Sequence, residues 1–322
     1  MIDSTHIRKL NLNYRDVRIA FLGSPLMSAR LMQKLHDEGF NIVLSVAQPA
    51  KAKGRGNKVI VSEVEALSKK LSIPCFTPRK IREDYSFIKD YDIDLIVCLA
   101  YGQIIPQGLI DSAKIGALNF HGSILPKLRG ADPIRRSIIE GFKTTGFSLM
   151  EMVDKMDAGA VYDTFEIDIE NLNYDELVDA LTSSLLEFAP KSLKRFIAGE
   201  LIPRPQKEEE VTFAPKIKKE DEKLDLSLDT MTFLRWVLAL SYHPGGFLIL
   251  DDEPLKILKA TYHSEKIDSP VGTIKAIAKD HFILQLKDGD ISIYEIQKAG
   301  GKKMDVRAFL NGHKNLLGKI LR

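Results

Sequence analysis

Val17-Arg18-Ile19-Ala20-Phe21-Leu22, followed at once by Gly23-Ser24-Pro25, is a short apolar run that stops in a turn. Such a run reads as a strand buried on both faces. Outward from it, Leu26 to His36 has helical spacing, and Gly39 is placed to end that helix. Ile42 to Val46 reads as a second strand, Glu63 to Lys70 as a second helix, and Ile73 to Phe76 as a short strand. Asp94-Leu95-Ile96-Val97-Cys98-Leu99 is apolar almost throughout, the pattern of a strand whose sheet is covered on both sides. The alternation predicts an α/β fold class: a doubly wound, mainly parallel, Rossmann-like sheet with right-handed crossovers. Ligands in such sheets lie beyond the carboxyl ends of the strands.

The pattern changes after Leu201. Pro203, Pro205 and the charged run Lys207 to Glu210 read as a linker. Short strand-like pieces follow at 248–250, 255–258, 272–274, 282–286 and 291–294, with Asp288-Gly289-Asp290 as a hairpin signal between the last two. Strands of this length and spacing predict a small, OB-like β-barrel. The expected division is one domain over 15–202, a linker over 203–211 and the barrel over 212–322.

The chain has 322 residues, 44% of them hydrophobic and 28% charged, which excludes a disordered or fibrous protein. The longest apolar run, near Leu95 to Ala100, falls far short of the roughly 20 residues of a membrane span. Met1 to Tyr14 has no continuous apolar region, so no secretory signal is read and the cytoplasm is the expected compartment. A net charge of +2 does not announce a nucleic-acid binder, although local clusters matter more than the sum. Two cysteines, Cys75 and Cys98, exclude a disulfide framework and a cysteine-based zinc site.

No Gly-x-Gly-x-x-Gly follows the first strand, no phosphate-loop sequence is present, and no two histidines have metal-ligand spacing. What remains is Leu118-Asn119-Phe120-His121-Gly122-Ser123-Ile124-Leu125-Pro126. Strand alternation points Asn119 and His121 to one side, and Gly122 breaks the strand just after them. An Asn amide can donate to a developing oxyanion, and a His can exchange a proton near neutral pH. Later, Met156-Asp157-Ala158-Gly159 sets a carboxylate before a turn, and an Asp beside an imidazole fixes its tautomer and favours imidazolium. On the residues alone, Asn119 reads equally as a turn former, Asp157 as a cap, and His121 as a surface or core histidine.

Asn119-Phe120-His121, Ser123-Ile124-Leu125-Pro126 and Asp157-Ala158-Gly159 resemble the signature of the 10-formyltetrahydrofolate-dependent formyltransferases. Segments elsewhere resemble the branch of that family acting on methionyl-tRNA. They are Arg18 to Pro25, Gln48-Pro49 with Gly54-Arg55-Gly56, Ala100 to Pro106, Arg129-Gly130, Thr212 to Ile217, Lys219-Glu220 and Phe309 to Gly312. The resemblance runs from about Val17 to His313. It implies transfer of a formyl group from 10-formyltetrahydrofolate to the α-amino group of methionine on initiator tRNA, the first amino acid of protein synthesis. It implies Asn119, His121 and Asp157 as the catalytic set. A folate slot would be lined by Tyr101, Gly102 and the wall Ser123, Ile124, Leu125 and Pro126. It implies tRNA contacts from a loop carrying Lys53, Arg55 and Lys58, and from a basic tail that includes Lys302 and Lys303. No metal, no membrane and a monomer complete that expectation.

Departures from the pattern are Leu26, Ile124, Asp132, Leu238 and the turn Tyr242-His243-Pro244, where the family usually carries an acid, Leu, a small residue, Arg and a tryptophan turn. By composition alone the basic loop reads more readily as a solvated mobile loop, and the tail equally as a solvated face. The rival readings are a sugar-nucleotide N-formyltransferase, a glycinamide-ribonucleotide formyltransferase and a non-catalytic RNA-binding paralogue. The basic loop and C-terminal segments weigh against the first, the length against the second, and the intact Asn-His-Asp set against the third.

Overall fold

The structure is a computed structural model that describes residues 12–53, 58–313 and 315–322. They group into two compact units that do not follow chain order. The first holds the described residues up to Pro133, together with Gly146–Ile167 and Ala180–Ala214. The second holds Ile134–Thr145, Asp168–Asp179 and Pro215–Arg322.

In chain order the first part of the protein runs β1 (Ile19–Gly23), α1 (Leu26–Asp37), β2 (Ile42–Val46), a hairpin of β3 (Lys51–Lys53) and β4 (Lys58–Ile60), α2 (Glu63–Leu71), β5 (Cys75–Phe76) and β6 (Leu95–Leu99). It continues with α3 (Gln107–Ile110), β7 (Gly116–His121), β8 (Arg129–Gly130), α4 (Pro133–Ile139), β9 (Thr144–Glu151), β10 (Val161–Asp168), α5 (Tyr174–Ile197) and β11 (Phe213–Ala214). Seven of the strands make one sheet in the order β10-β9-β7-β6-β1-β2-β5. β5, β2, β1, β6 and β7 are parallel neighbours, and β9 runs antiparallel to β7. This is the Rossmann-like arrangement expected. All residues of β1 and β6 are buried, as their unbroken apolar runs require. The order reverses at β1, which lies between β2 and β6, and ligands of such sheets lie beyond the carboxyl ends of the strands at that point.

Helix α2 begins where Ser62 accepts a hydrogen bond from the Glu65 N–H, a cap worth about 0.5–2 kcal/mol. Its exit explains why β5 starts two residues later than the apolar run Ile73 to Phe76. Ser72 is left-handed, the Ile73 N–H still bonds Ser68 O, and Pro74 has no N–H to give a ladder. The sequence reading assigns neither β9 nor β10, because their polar and acidic residues hide the pattern; nor does it assign α5, which carries Pro190. Residues 203–211 are laid along the first unit: Arg204 and Val161 exchange two backbone hydrogen bonds of 2.9 Å, and β11 then pairs with β8 in parallel.

The second unit contains α6 (Thr230–Leu240), β12 (Gly246–Leu250), β13 (Glu253–Ser264), β14 (Ile274–Ile277), β15 (Phe282–Gln285), β16 (Asp290–Lys298), β17 (Lys303–Asp305) and α7 (Val306–Gly312). Its antiparallel sheet has the order β12-β13-β16-β15-β14, with β17 on β16. The tail bridges the two outer strands. Arg322 exchanges two backbone bonds with Ile249, while the Ile274 N–H bonds Lys319 O and the Leu321 N–H bonds Gly272 O. That bridging turns the sheet into the small barrel the strand spacing predicts. Phe233, Val237 and Leu240 of α6 join its buried core. The Asp288-Gly289-Asp290 turn has a second use: Asp288 Oδ1 accepts from the N–H and hydroxyl of Thr230 at 2.7 Å each, holding the start of α6.

Candidate active site

β7 ends on the site. Its ladder pairs Asn119 with Cys98 on one side and Met150 on the other, so the backbone there is fixed. Phe120 packs edge-on to Phe188 of α5, with ring centroids 6.4 Å apart. Alternation therefore turns Asn119 and His121 to the opposite face. Asn119 is half-buried, and its carboxamide has no hydrogen-bond partner among the described residues. His121 is buried. Its Nε2 lies 2.8 Å from Leu128 O, and since a carbonyl only accepts, Nε2 carries the proton. Nδ1 then faces Asp157 Oδ2 at 3.6 Å.

Asp157 arrives from a loop between β9 and β10, and its backbone is left-handed at φ 52°. Asp tolerates that region better than most side chains. Gly159 follows because a Cβ there would stand 2.0 Å from Glu151 O. Two groups hold the carboxylate and its backbone. The Gly130 N–H donates to Oδ2 at 2.9 Å. The Gln206 carboxamide donates to the carbonyls of Asp157 at 2.8 Å and Gly159 at 2.7 Å. Gln206 Oε1 in turn accepts from Arg129 Nε at 2.9 Å. Arg129 is 1% exposed and also donates to Glu208 Oε1 at 2.9 Å. The guanidinium, with help from Lys155, holds the Glu208 carboxyl down at about 2. Gln206 and Glu208 lie in the stretch that composition presents as a linker. No local pattern marks them, since Gln206 meets Asp157 from 49 positions away.

The residues expected to line a folate slot are placed as follows. Ser123 is buried and spends its hydroxyl on Lys127 O at 2.6 Å. Ser148 of β9 ties the turn from below, accepting from the Leu125 N–H and donating to Ser123 O. Leu125 packs with Met150 and Val161, Ile124 stays half-buried, and the Leu125–Pro126 peptide is cis. Tyr101 directs its ring into the core of the first unit, where burial pushes its phenol up and its hydroxyl has no partner among the described residues. What Tyr101 turns outward is backbone: its carbonyl accepts from Gln48 Nε2 at 3.0 Å. Gly102 follows at φ 86°. Beyond the ends of β1 and β6, Leu26 and Ile104 are 51% and 54% exposed, apolar surface that a flat ring can cover.

Cys98 is buried, and desolvation pushes its thiol up to about 12, so it stays protonated. Among the described residues no three His, Cys, Asp or Glu gather as a metal site needs, and no helix is long and apolar enough to cross a membrane. Of the expected tRNA contacts, Arg55 lies outside the described residues. Lys53 and Lys58 face each other across the β3–β4 hairpin by backbone register. Lys302 and Lys303 are exposed in the second unit, and Lys303 Nζ stands 4.9 Å from the Tyr242 ring centroid. The unusual Tyr242-His243-Pro244 turn is secured by Arg135, which donates to His243 O at 3.0 Å and lies over the Tyr174 ring at 3.8 Å.

A Rossmann-like sheet, an antiparallel second unit and an Asn-His-Asp grouping at a strand end together define a class, and the comparisons name it. The family model described as formyl transferase matches residues 17–197, and that of the formyl transferase C-terminal domain matches 216–314. The chain belongs to the formyl transferase family. Within it, the chain is 35% identical to the methionyl-tRNA formyltransferase of Lactobacillus gasseri, over 91% of this chain and 95% of that protein. It is likewise 35% identical to the methionyl-tRNA formyltransferase of Bacillus subtilis, over 94% and 97%. Among solved structures the fold resembles HypX from Aquifex aeolicus in complex with tetrahydrofolic acid, at TM-score 0.63 and 20% identity, over 93% of this chain and 48% of HypX. It also resembles an N-formyltransferase from Helicobacter canadensis, at TM-score 0.65 and 15% identity, over 88% and 100%.

Proposed function

We infer that this chain transfers the formyl group of 10-formyltetrahydrofolate to the α-amino group of methionyl initiator tRNA. The observation that carries this reading is the end-to-end similarity to proteins named for that reaction, through both domains of the family. Residues 15–202 would do the chemistry, 203–211 connect, and 212–322 serve the tRNA. We take the chain to work as a monomer in the cytoplasm.

The chemistry follows from the residues. A free α-amino group has a pKa of roughly 7.7–8.0, so part of it is already the neutral nucleophile at cellular pH. Its nitrogen bonds to the formyl carbon, the bond from that carbon to N10 of the folate breaks, and one amine proton passes to N10. The Asn119 amide, without a partner among the described residues, donates to the oxyanion that forms. His121 keeps its Nε2 proton on Leu128 O and offers Nδ1, which takes the amine proton directly or through water. The imidazolium then lies against Asp157 and adds positive charge beside the oxyanion. The donor's flat ring system would lie against Leu26, Ile104, the Tyr101-Gly102 backbone and the Ser123–Pro126 wall. Lys53, Arg55, Lys58, Lys302 and Lys303 would meet tRNA phosphates.

Purified protein given formyl-labelled 10-formyltetrahydrofolate should label charged initiator methionyl-tRNA. Label appearing on an amino-sugar nucleotide and not on the tRNA would overturn the assignment.

A further inference from the structure

The hydrogen bonds around Asp157 close into a ring. Its carboxylate accepts from the Gly130 N–H at 2.9 Å. Arg129, the preceding residue, donates through Nε to Gln206 Oε1 at 2.9 Å. The Gln206 amide returns to the Asp157 carbonyl at 2.8 Å. The orientation of that carboxamide follows from chemistry: a guanidinium has only donors, so Oε1 must face it and the NH2 must face the two carbonyls. Both amide protons are therefore used, one on Asp157 O and one on Gly159 O. They clamp a turn whose centre, Asp157, sits at φ 52°. A residue in that conformation persists when its surroundings over-determine it.

We propose that Gln206, oriented by the buried Arg129, is a positioning residue that holds the Asp157 turn so that its carboxylate faces His121 Nδ1. The inference rests on the reading above that His121 and Asp157 handle the proton. Without the clamp, the Asp157 and Gly159 carbonyls and Arg129 Nε lose their partners. The turn is then free to relax away from its left-handed centre. Gly130 would still hold one oxygen of the carboxylate, and among the described residues the turn's own backbone would keep the Ala158 N–H bond to Lys155 O at 3.2 Å. Displacements of about 1 Å in such groups cost up to about 10²-fold in rate. Both Gln206 amide protons are spent on the turn and Oε1 faces Arg129, so the loss is expected on kcat.

The test is steady-state formylation of methionyl-tRNA by the full chain and its Gln206→Ala and Gln206→Glu variants. Gln206→Glu keeps an oxygen for Arg129 but turns a second acceptor toward two carbonyls, so it disturbs the clamp with little change of volume. Both variants should lose about 10–10²-fold in kcat, with KM for either substrate within about twofold. In an Asp157→Ala background the same changes should cost less than about twofold, because residues acting through one another are not additive. Where thermal melting finds Gln206→Ala unfolded, Gln206→Glu supplies the reading. Full kcat in a folded variant, or a loss that adds undiminished to that of Asp157→Ala, overturns the positioning role alone. A wild-type chain that formylates nothing overturns the functional reading beneath it.

Discussion

At the scale of single residues, the site divides its work by what each side chain has left to give. Among the described residues Asn119 has both amide protons free, whereas His121 has one nitrogen committed to Leu128 O and one facing Asp157. Asn119→Ala should therefore lower kcat by about 10²–10³-fold, the usual cost of one oxyanion donor, with little change in the melting temperature. His121→Ala removes the proton acceptor and should cost about 10²–10⁴-fold, measured in the same assay. The first two of these residues are readable from sequence, because strand alternation and the Gly122 break put them together at a strand end. Asp157 is readable only through the family signature, since nothing in its neighbourhood says which imidazole it meets. Gln206 is not readable at all: its partners are carbonyl groups, which carry no residue identity.

At the scale of elements, β8 and β11 are two residues each, yet they set the Gly130 N–H against Asp157. Gly130 has φ 128°, and a Cβ there would lie 2.7 Å from Ala214 O. Gly130→Ala should lower stability by about 1–3 kcal/mol in a denaturant titration and lower kcat as well, since the ladder must open to admit the methyl. The Arg129–Glu208 pair gives this region a pH dependence. Glu208 is held down to about 2 in the folded chain from an ordinary 4.5, so its stabilisation is complete above pH 4.5 and fades as pH falls toward 2. The melting temperature of Glu208→Gln should lie below that of the wild type at pH 7 and converge on it through that window. The strands β1, β2 and β6 are legible because burial on both faces leaves unbroken apolar runs. β9 and β10 escape because their own polar and acidic residues, among them Ser148, Asp163 and Glu166, interrupt the pattern.

At the scale of the whole molecule, the net charge of +2 conceals the basic tail, where Lys302 and Lys303 stand exposed. Binding of tRNA should weaken steeply as salt rises, and replacing both lysines with alanine should flatten the log–log slope by about one for each phosphate no longer neutralised. An unchanged slope, measured by filter binding from low to physiological salt, would remove them from the interface. The barrel itself is foreseeable from strand length and spacing. Its discontinuity is not, because membership of a unit depends on packing and leaves no composition signal at residues 134–145 and 168–179. Those two stretches lie far upstream of the barrel strands in synthesis, yet they count among its own material. A gene fragment cut at the proline-rich junction near 203 would encode every barrel strand and still leave it short of those two stretches. A protein engineer grafting this compact unit whole would have to carry three pieces of chain together.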